Sequence, residues 1–117
     1  MVGSGHAHNP QMYGCMGNDG EQIWQKFVRK HKHIFLVLSG HIGGDGMGRL
    51  TSTGDHGNPV HQLLANYQGR PNGGDGWLRI MRFLPKENKI SVRTYSAFHQ
   101  KYDDDAQNQF ELDYRMR

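Results

Sequence analysis

Eight histidines lie in a chain of 117 residues, and neutral imidazole is the commonest protein ligand for zinc and similar ions. The best placed is His41, in the stretch FLVLSGHIGGDGMG at 35–48. There an apolar run stops at Ser39, turns on Gly40 and presents a histidine to a glycine-rich segment. Ligands of open α/β sheets collect beyond the carboxyl ends of strands, which makes His41 the leading metal-ligand candidate. His6 and His8 in GHAH, and His56 and His61 in TGDHGNPVH, are the further candidates. His31 and His33 follow a helical pattern, where a cation would complement the negative end of the helix dipole.

A two-metal hydrolytic centre also requires carboxylates, because bridging oxygens hold both ions and balance their charge. Asp45 and Asp55, both in the glycine-rich segment 40–58, are the available acids, and Arg49 between them is placed to orient an anionic group. None of these spacings forms a compact metal motif such as His-Glu-x-x-His, and aspartate beside glycine equally suits a turn. The glycines of GHIGGDGMG match neither a phosphate-cradling loop nor a dinucleotide fingerprint. The single Cys15 has no base beside it.

The elements that must position these groups are predicted as follows. Residues 1–18 are rich in Gly, His, Asn and Met without periodicity and read as loop. Asp19 offers an N-cap with Gln22 three positions on, and Ile23, Trp24, Phe27, Val28 and His31 recur at helical spacing, predicting an amphipathic helix that ends near Lys32. The wholly apolar run 34–38 predicts a strand buried on both faces. Segment 40–58, with seven glycines and no apolar period, predicts a long functional loop. Residues 60–67, 77–84 and 90–98 predict a three-stranded antiparallel meander with turns at 70–76 and 85–89. Alternating Phe110, Leu112 and Tyr114 predict an edge strand or a polar tail over 99–117. The expected fold is therefore α/β in a single small domain, 1–117, with its core over 19–98.

Composition narrows the function classes. Net charge is +3, but Arg79, Arg82 and Arg93 alternate with apolar residues, and Asp103, Asp104 and Asp105 would repel phosphates, so nucleic-acid binding is disfavoured. One cysteine rules out an internal disulfide framework and suits a reducing compartment. Run 34–38 is too short to span a bilayer, and the first residues lack a basic start followed by a long apolar stretch. A cytoplasmic chain without a membrane partner is expected.

Taken together, DGEQIWQKFVRKHKHIFLVLSGH at 19–41, TGDHGNPVHQLLANYQGRPNGGDGWLRIMRF at 53–83 and ISVRTYS at 90–96 resemble the carboxyl-terminal third of calcineurin-like metallophosphoesterases, over residues 6–114. The resemblance implies a part of that family's α/β sandwich, and a divalent zinc, manganese or iron centre that activates water for phosphoester hydrolysis. His41 matches the first histidine of the family's Gly-His-x-His motif, a metal ligand there, while Gly43 stands where the second should be. His6 falls at the place of an upstream ligand histidine, with His8 beside it. The blocks that supply the family's bridging aspartate, asparagine and leaving-group histidine have no counterpart in this chain. Apolar faces buried in the parent would then be exposed, so a homo-oligomer is expected to complete the sandwich.

Two readings follow. The first is a small metal-dependent hydrolase acting on a phosphoester or similar small ester, with His41, His6, His8 and His61 as ligands and Asp45, Asp55, His56 and Arg49 around the reacting group. The second is a non-catalytic oligomeric remnant or protein-interaction module whose histidines are inherited.

Overall fold

The computed structural model describes residues 9–116, which form a mixed α/β arrangement made mostly of strands in two open sheets. After a 3-10 turn at Pro10–Tyr13, helix α1 spans Gly20–Lys26 and a second 3-10 turn spans Val28–Lys30. Strands β1 (Leu36–Ser39), β2 (Met47–Thr53) and β3 (Pro59–Ala65) form one sheet in the order β1-β3-β2. A one-turn segment, α2 (Pro71–Gly74), leads to β4 (Trp77–Leu84), β5 (Lys89–Ser96), β6 (Lys101–Asp103) and β7 (Phe110–Asp113). In this second sheet β5 pairs with β4 on one side and with β6 and β7 on the other.

Helix α1 starts where the capping residues place it. Asp19 Oδ1 accepts from the Gln22 N–H at 2.7 Å and Gln22 Oε1 accepts from the Asp19 N–H at 3.1 Å, a reciprocal box that satisfies two otherwise unpaired donors. The helix ends at Lys26 rather than near Lys32, and no residue within it is buried. Phe27 breaks the geometry at φ −132° and ψ −67°, which turns Val28 inward and leaves Phe27 exposed.

Three further expectations are corrected. The run 34–38 is not a strand buried on both faces: β1 is an edge strand, parallel to β3 alone, and its Leu38 is 61% exposed. Segment 40–58 is not all loop, because β2 lies within it and pairs antiparallel with β3 along its whole length. Its apolar residues, Met47 and Leu50, sit an odd number of positions apart, so no alternation marks the strand; pairing with β3 makes it one. Residues 60–67 do not open a meander with 77–84. They form β3 in the first sheet, and the chain changes sheets through residues 72–76, all five of which have positive φ.

The predicted hairpin of β4 and β5 is present, register Leu84 with Lys89 and Trp77 with Ser96, and the stretch around Phe110 and Leu112 is strand β7.

The two sheets meet over Leu63 of β3 and Ile90, Val92 and Leu112 of the second sheet, with Phe35, Leu36, Met81 and Tyr114 packed around them. Each fully buried aliphatic side chain contributes about 1.5–3 kcal/mol. Phe35 stacks on Tyr114 with centroids 4.0 Å apart and meets Phe83 edge-on at 6.4 Å. Arg79 ties the layers together by donating to the Leu64 and Gln107 carbonyls at 3.3 and 3.1 Å. The molecule is a thin plate of 44 × 41 × 17 Å with a radius of gyration of 15.5 Å, against about 13 Å for an average globular chain of this length. Leu50, Leu78, Ile80 and Phe98 are consequently exposed.

Candidate functional site

The topology sends the predicted site residues to different places. Because β1 and β3 are parallel, the carboxyl end of β1, with His41 and Asp45, lies at one end of the sheet. The β2–β3 turn, with Asp55 and His56, lies at the other.

At the carboxyl end of β1, His41 is exposed and holds a left-handed φ of 61°. Its Nδ1 is 3.1 Å from Gln68 Oε1. An amide oxygen only accepts, so Nδ1 carries the hydrogen; in the neutral ring Nε2 then bears the lone pair, the form in which imidazole ligates a metal. Asn66 clamps the loop after His41: its Nδ2 donates to the Ile42 carbonyl at 2.8 Å and its N–H to the Gly46 carbonyl at 2.7 Å. Gly46 is required there, since a Cβ would stand 2.1 Å from the Asn66 carbonyl oxygen and φ is +70°. Beside His41's partner opens a depression of about 360 Å³ lined by Asp45, Asn66, Gln68 and Arg70 together with glycines. Asp45 Oδ1 accepts from the Met47 N–H at 3.1 Å, a turn-closing bond. Arg70 pairs with Asp103 at 3.1 Å and lies over the rings of Tyr67 and Trp77 at 5.2 and 4.8 Å.

The remaining predicted residues are elsewhere. Asp55 is ion-paired with Arg29 at 2.6 Å, and His56 Nε2 donates to the Lys30 carbonyl at 3.2 Å. His61 is buried, with Nε2 donating to the Asp113 carbonyl at 3.0 Å and Nδ1 2.9 Å from the Thr51 hydroxyl. Both ring nitrogens are thus engaged in holding β2, β3 and β7 together. His61 pairs with Leu36 in the strand register, and β1 runs on for three residues to Ser39, about 10 Å at about 3.3 Å per residue, before the chain turns to His41. With both of its nitrogens committed and its ring that far along the sheet, His61 does not share an ion with His41, since a ligating nitrogen must approach within about 2 Å of the metal with its lone pair free. Arg49, exposed on β2, lies over the Phe110 ring of β7 at 4.4 Å and does not line the depression. His6 and His8 lie outside the described residues. Among the described residues no three His, Cys, Asp or Glu side chains form a group that could hold a metal ion, and no helix is long and apolar enough to cross a membrane.

Sequence reasoning missed a second constellation. Asp75, buried and left-handed at φ 44°, accepts from Asn72 Nδ2 at 2.7 Å and lies 3.2 Å from His99 Nε2. Ser96 Oγ donates to the Asp75 carbonyl at 2.6 Å and accepts from the His99 N–H at 3.0 Å. The Asn72 hydrogen bond, opposed by burial and aided by His99, holds the Asp75 carboxyl below its ordinary value. The sequence signal is the NGGDG run at 72–76, which reads as a turn; nothing local announces that its aspartate reaches His99.

No family model matches this chain, and no solved structure matches it. Among curated proteins, it is similar to the uncharacterized protein YvnB of Bacillus subtilis (strain 168), 37% identical over 84 residues that make up 68% of this chain and 6% of that protein. The chain therefore spans only a small part of the length of the relative it matches.

Proposed function

We propose that this chain is a phosphoesterase-derived module that contributes His41 as one ligand to a divalent metal centre, of zinc, manganese or iron, at the carboxyl end of β1. The observation that carries this reading is the His41–Gln68 contact, which engages Nδ1 and leaves Nε2 of the neutral ring, with its lone pair, free of that contact on an exposed side chain beside an open depression. The other ligands come from His6 or His8 of the same chain or from a second copy. The thin plate with its exposed apolar side chains supports a homo-oligomer. When bound, such an ion supplies Lewis acidity toward a phosphoryl oxygen and an activated water.

The chain's own residues position the substrate. Arg70, which lines the depression, takes the anion-orienting role that the sequence suggests for Arg49, and its stacking on Tyr67 and Trp77 fixes the guanidinium plane. Asp45 closes the loop and lines the same depression. Asp55, His56 and His61 act structurally. The centre so formed is open and suits small, accessible phosphoesters; on this reading the two sheets are part of a calcineurin-like sandwich and the protein is cytoplasmic.

A second reading, a non-catalytic interaction module, is favoured by the lack of a three-residue ligand group among the described residues. Hydrolysis of a chromogenic aryl phosphate with added manganese or zinc separates the two. Turnover abolished in His41→Ala supports the hydrolase, and turnover absent from the wild type, or unchanged in the variant, supports the interaction module.

A further inference from the structure

The opposite end of the first sheet carries a depression that the His41 reading does not use. It measures about 460 Å³, within the range of small-molecule sites. Its apolar part is Phe27 and Ile34, and its charged part is Lys30 and Lys32. His31, His33 and His56 complete it, and no carboxylate is among the described residues that line it. Phe27 is 53% exposed and lies against the His31 ring at 4.5 Å, so an aromatic platform is already assembled.

The backbone has been made compatible with an anion. Carbonyl oxygens at the end of a helical turn ordinarily repel negative charge. Here those of residues 27 to 31 all accept hydrogen bonds: Phe27 from the Lys30 N–H and Val28 from the His31 N–H, each at 3.2 Å; Arg29 from the Asp55 N–H at 2.8 Å; Lys30 from His56 Nε2 at 3.2 Å; and His31 from the Ile34 N–H at 3.0 Å. Asp55, the nearest acid in sequence to His56, is occupied by Arg29. The ammonium groups of Lys30 and Lys32 and the rings of His31 and His33 therefore remain as the polar surface available to a ligand, His56 being engaged through Nε2.

We infer that this depression binds a small aromatic phosphate monoester, its ring against Phe27 and His31 and its phosphate between Lys30 and Lys32. The inference is independent of the metal centre, which lies at the other end of the sheet.

The test is titration of the full chain, held metal-free by a chelator so that the proposed centre at His41 does not compete for the probe, with phenylphosphonate, which is non-hydrolysable, followed by amide NMR shifts. Inorganic phosphate and a single-stranded oligonucleotide serve as comparison ligands. The expected result is saturable shifts confined to residues 27–34 and 56, with phenylphosphonate about tenfold tighter than inorganic phosphate because of the ring contacts. The double variant Lys30→Glu, Lys32→Glu weakens binding by about tenfold or more. Lys86→Glu, an exposed lysine in the β4–β5 turn, leaves it unchanged. Absence of saturation overturns the proposal, as does equal binding of inorganic phosphate. Equal loss in Lys86→Glu shows general charge attraction, and oligonucleotide binding with shifts spread beyond the depression shows a nucleic-acid surface; either result also overturns it.

Discussion

His41 and Gln68 meet across the carboxyl ends of two parallel strands, with Nδ1 of the ring 3.1 Å from Oε1 of the amide. The amide fixes both the tautomer and the ring orientation, which is the usual task of a group behind a ligating histidine. Gln68→Ala is expected to weaken metal binding about tenfold without unfolding the protein, whereas Gln68→Glu, which accepts the same hydrogen, retains it. Chelator competition measures both; equal affinity of wild type and Gln68→Ala would remove the role assigned to the amide.

Two glycines of the loop after His41 provide an internal comparison. Gly46→Ala drives a Cβ into the Asn66 carbonyl and forces a positive φ, and it is expected to cost about 3 kcal/mol. Gly44→Ala has the same sign of φ but open space around it, and about 1 kcal/mol is expected. Urea unfolding of the two variants checks the difference; equal costs would show that the close approach to Asn66 is unimportant.

His61 is assigned to the frame rather than to the metal. His61→Ala leaves the Asp113 carbonyl and the Thr51 hydroxyl without the ring that joins them, so stability is expected to fall by about 2 kcal/mol. Metal content per folded chain stays unchanged. A variant that keeps its stability but loses metal would reverse the assignment.

Asp75 makes stability depend on pH. Its carboxyl is held below the ordinary value of 3.8, chiefly by Asn72, so the unfolded chain binds this proton more readily than the folded one. The resulting stabilisation is complete above about pH 5 and is lost as pH falls through the folded value. Asp75→Asn removes that part of the acid slope. Asp105 keeps some of it, because hydrogen bonds from Asn108 and Gln107 outweigh the upward push of burial. Denaturant midpoints between pH 7 and pH 2 decide the point, and an Asp75→Asn curve that parallels the wild type would refute it.

What the sequence discloses follows from the range of each interaction. The Asp19–Gln22 box and the β4–β5 hairpin are legible because their partners are a few residues apart. Strand β2 is hidden, since Gly48 and Arg49 interrupt any apolar pattern and only β3 gives the segment its conformation. The run 34–38 looks doubly buried because its composition is uniform, yet β1 has a neighbour on one side alone. The separation of Asp55 and His56 from His41 is a property of topology: a parallel β1–β3 pair puts the β2–β3 turn at the far end of the sheet. The Asp75–His99 contact spans 24 residues and depends on five successive left-handed residues that sequence reading registers only as a turn.

The central claim is that His41 is a metal ligand, and elemental analysis of the gel-filtered full chain beside His41→Ala tests it most directly. At least one zinc, manganese or iron ion per chain or per oligomer is predicted for the wild type, lost in a variant whose circular dichroism is unchanged. A folded wild-type protein free of these ions, or a variant that retains them, would contradict the account.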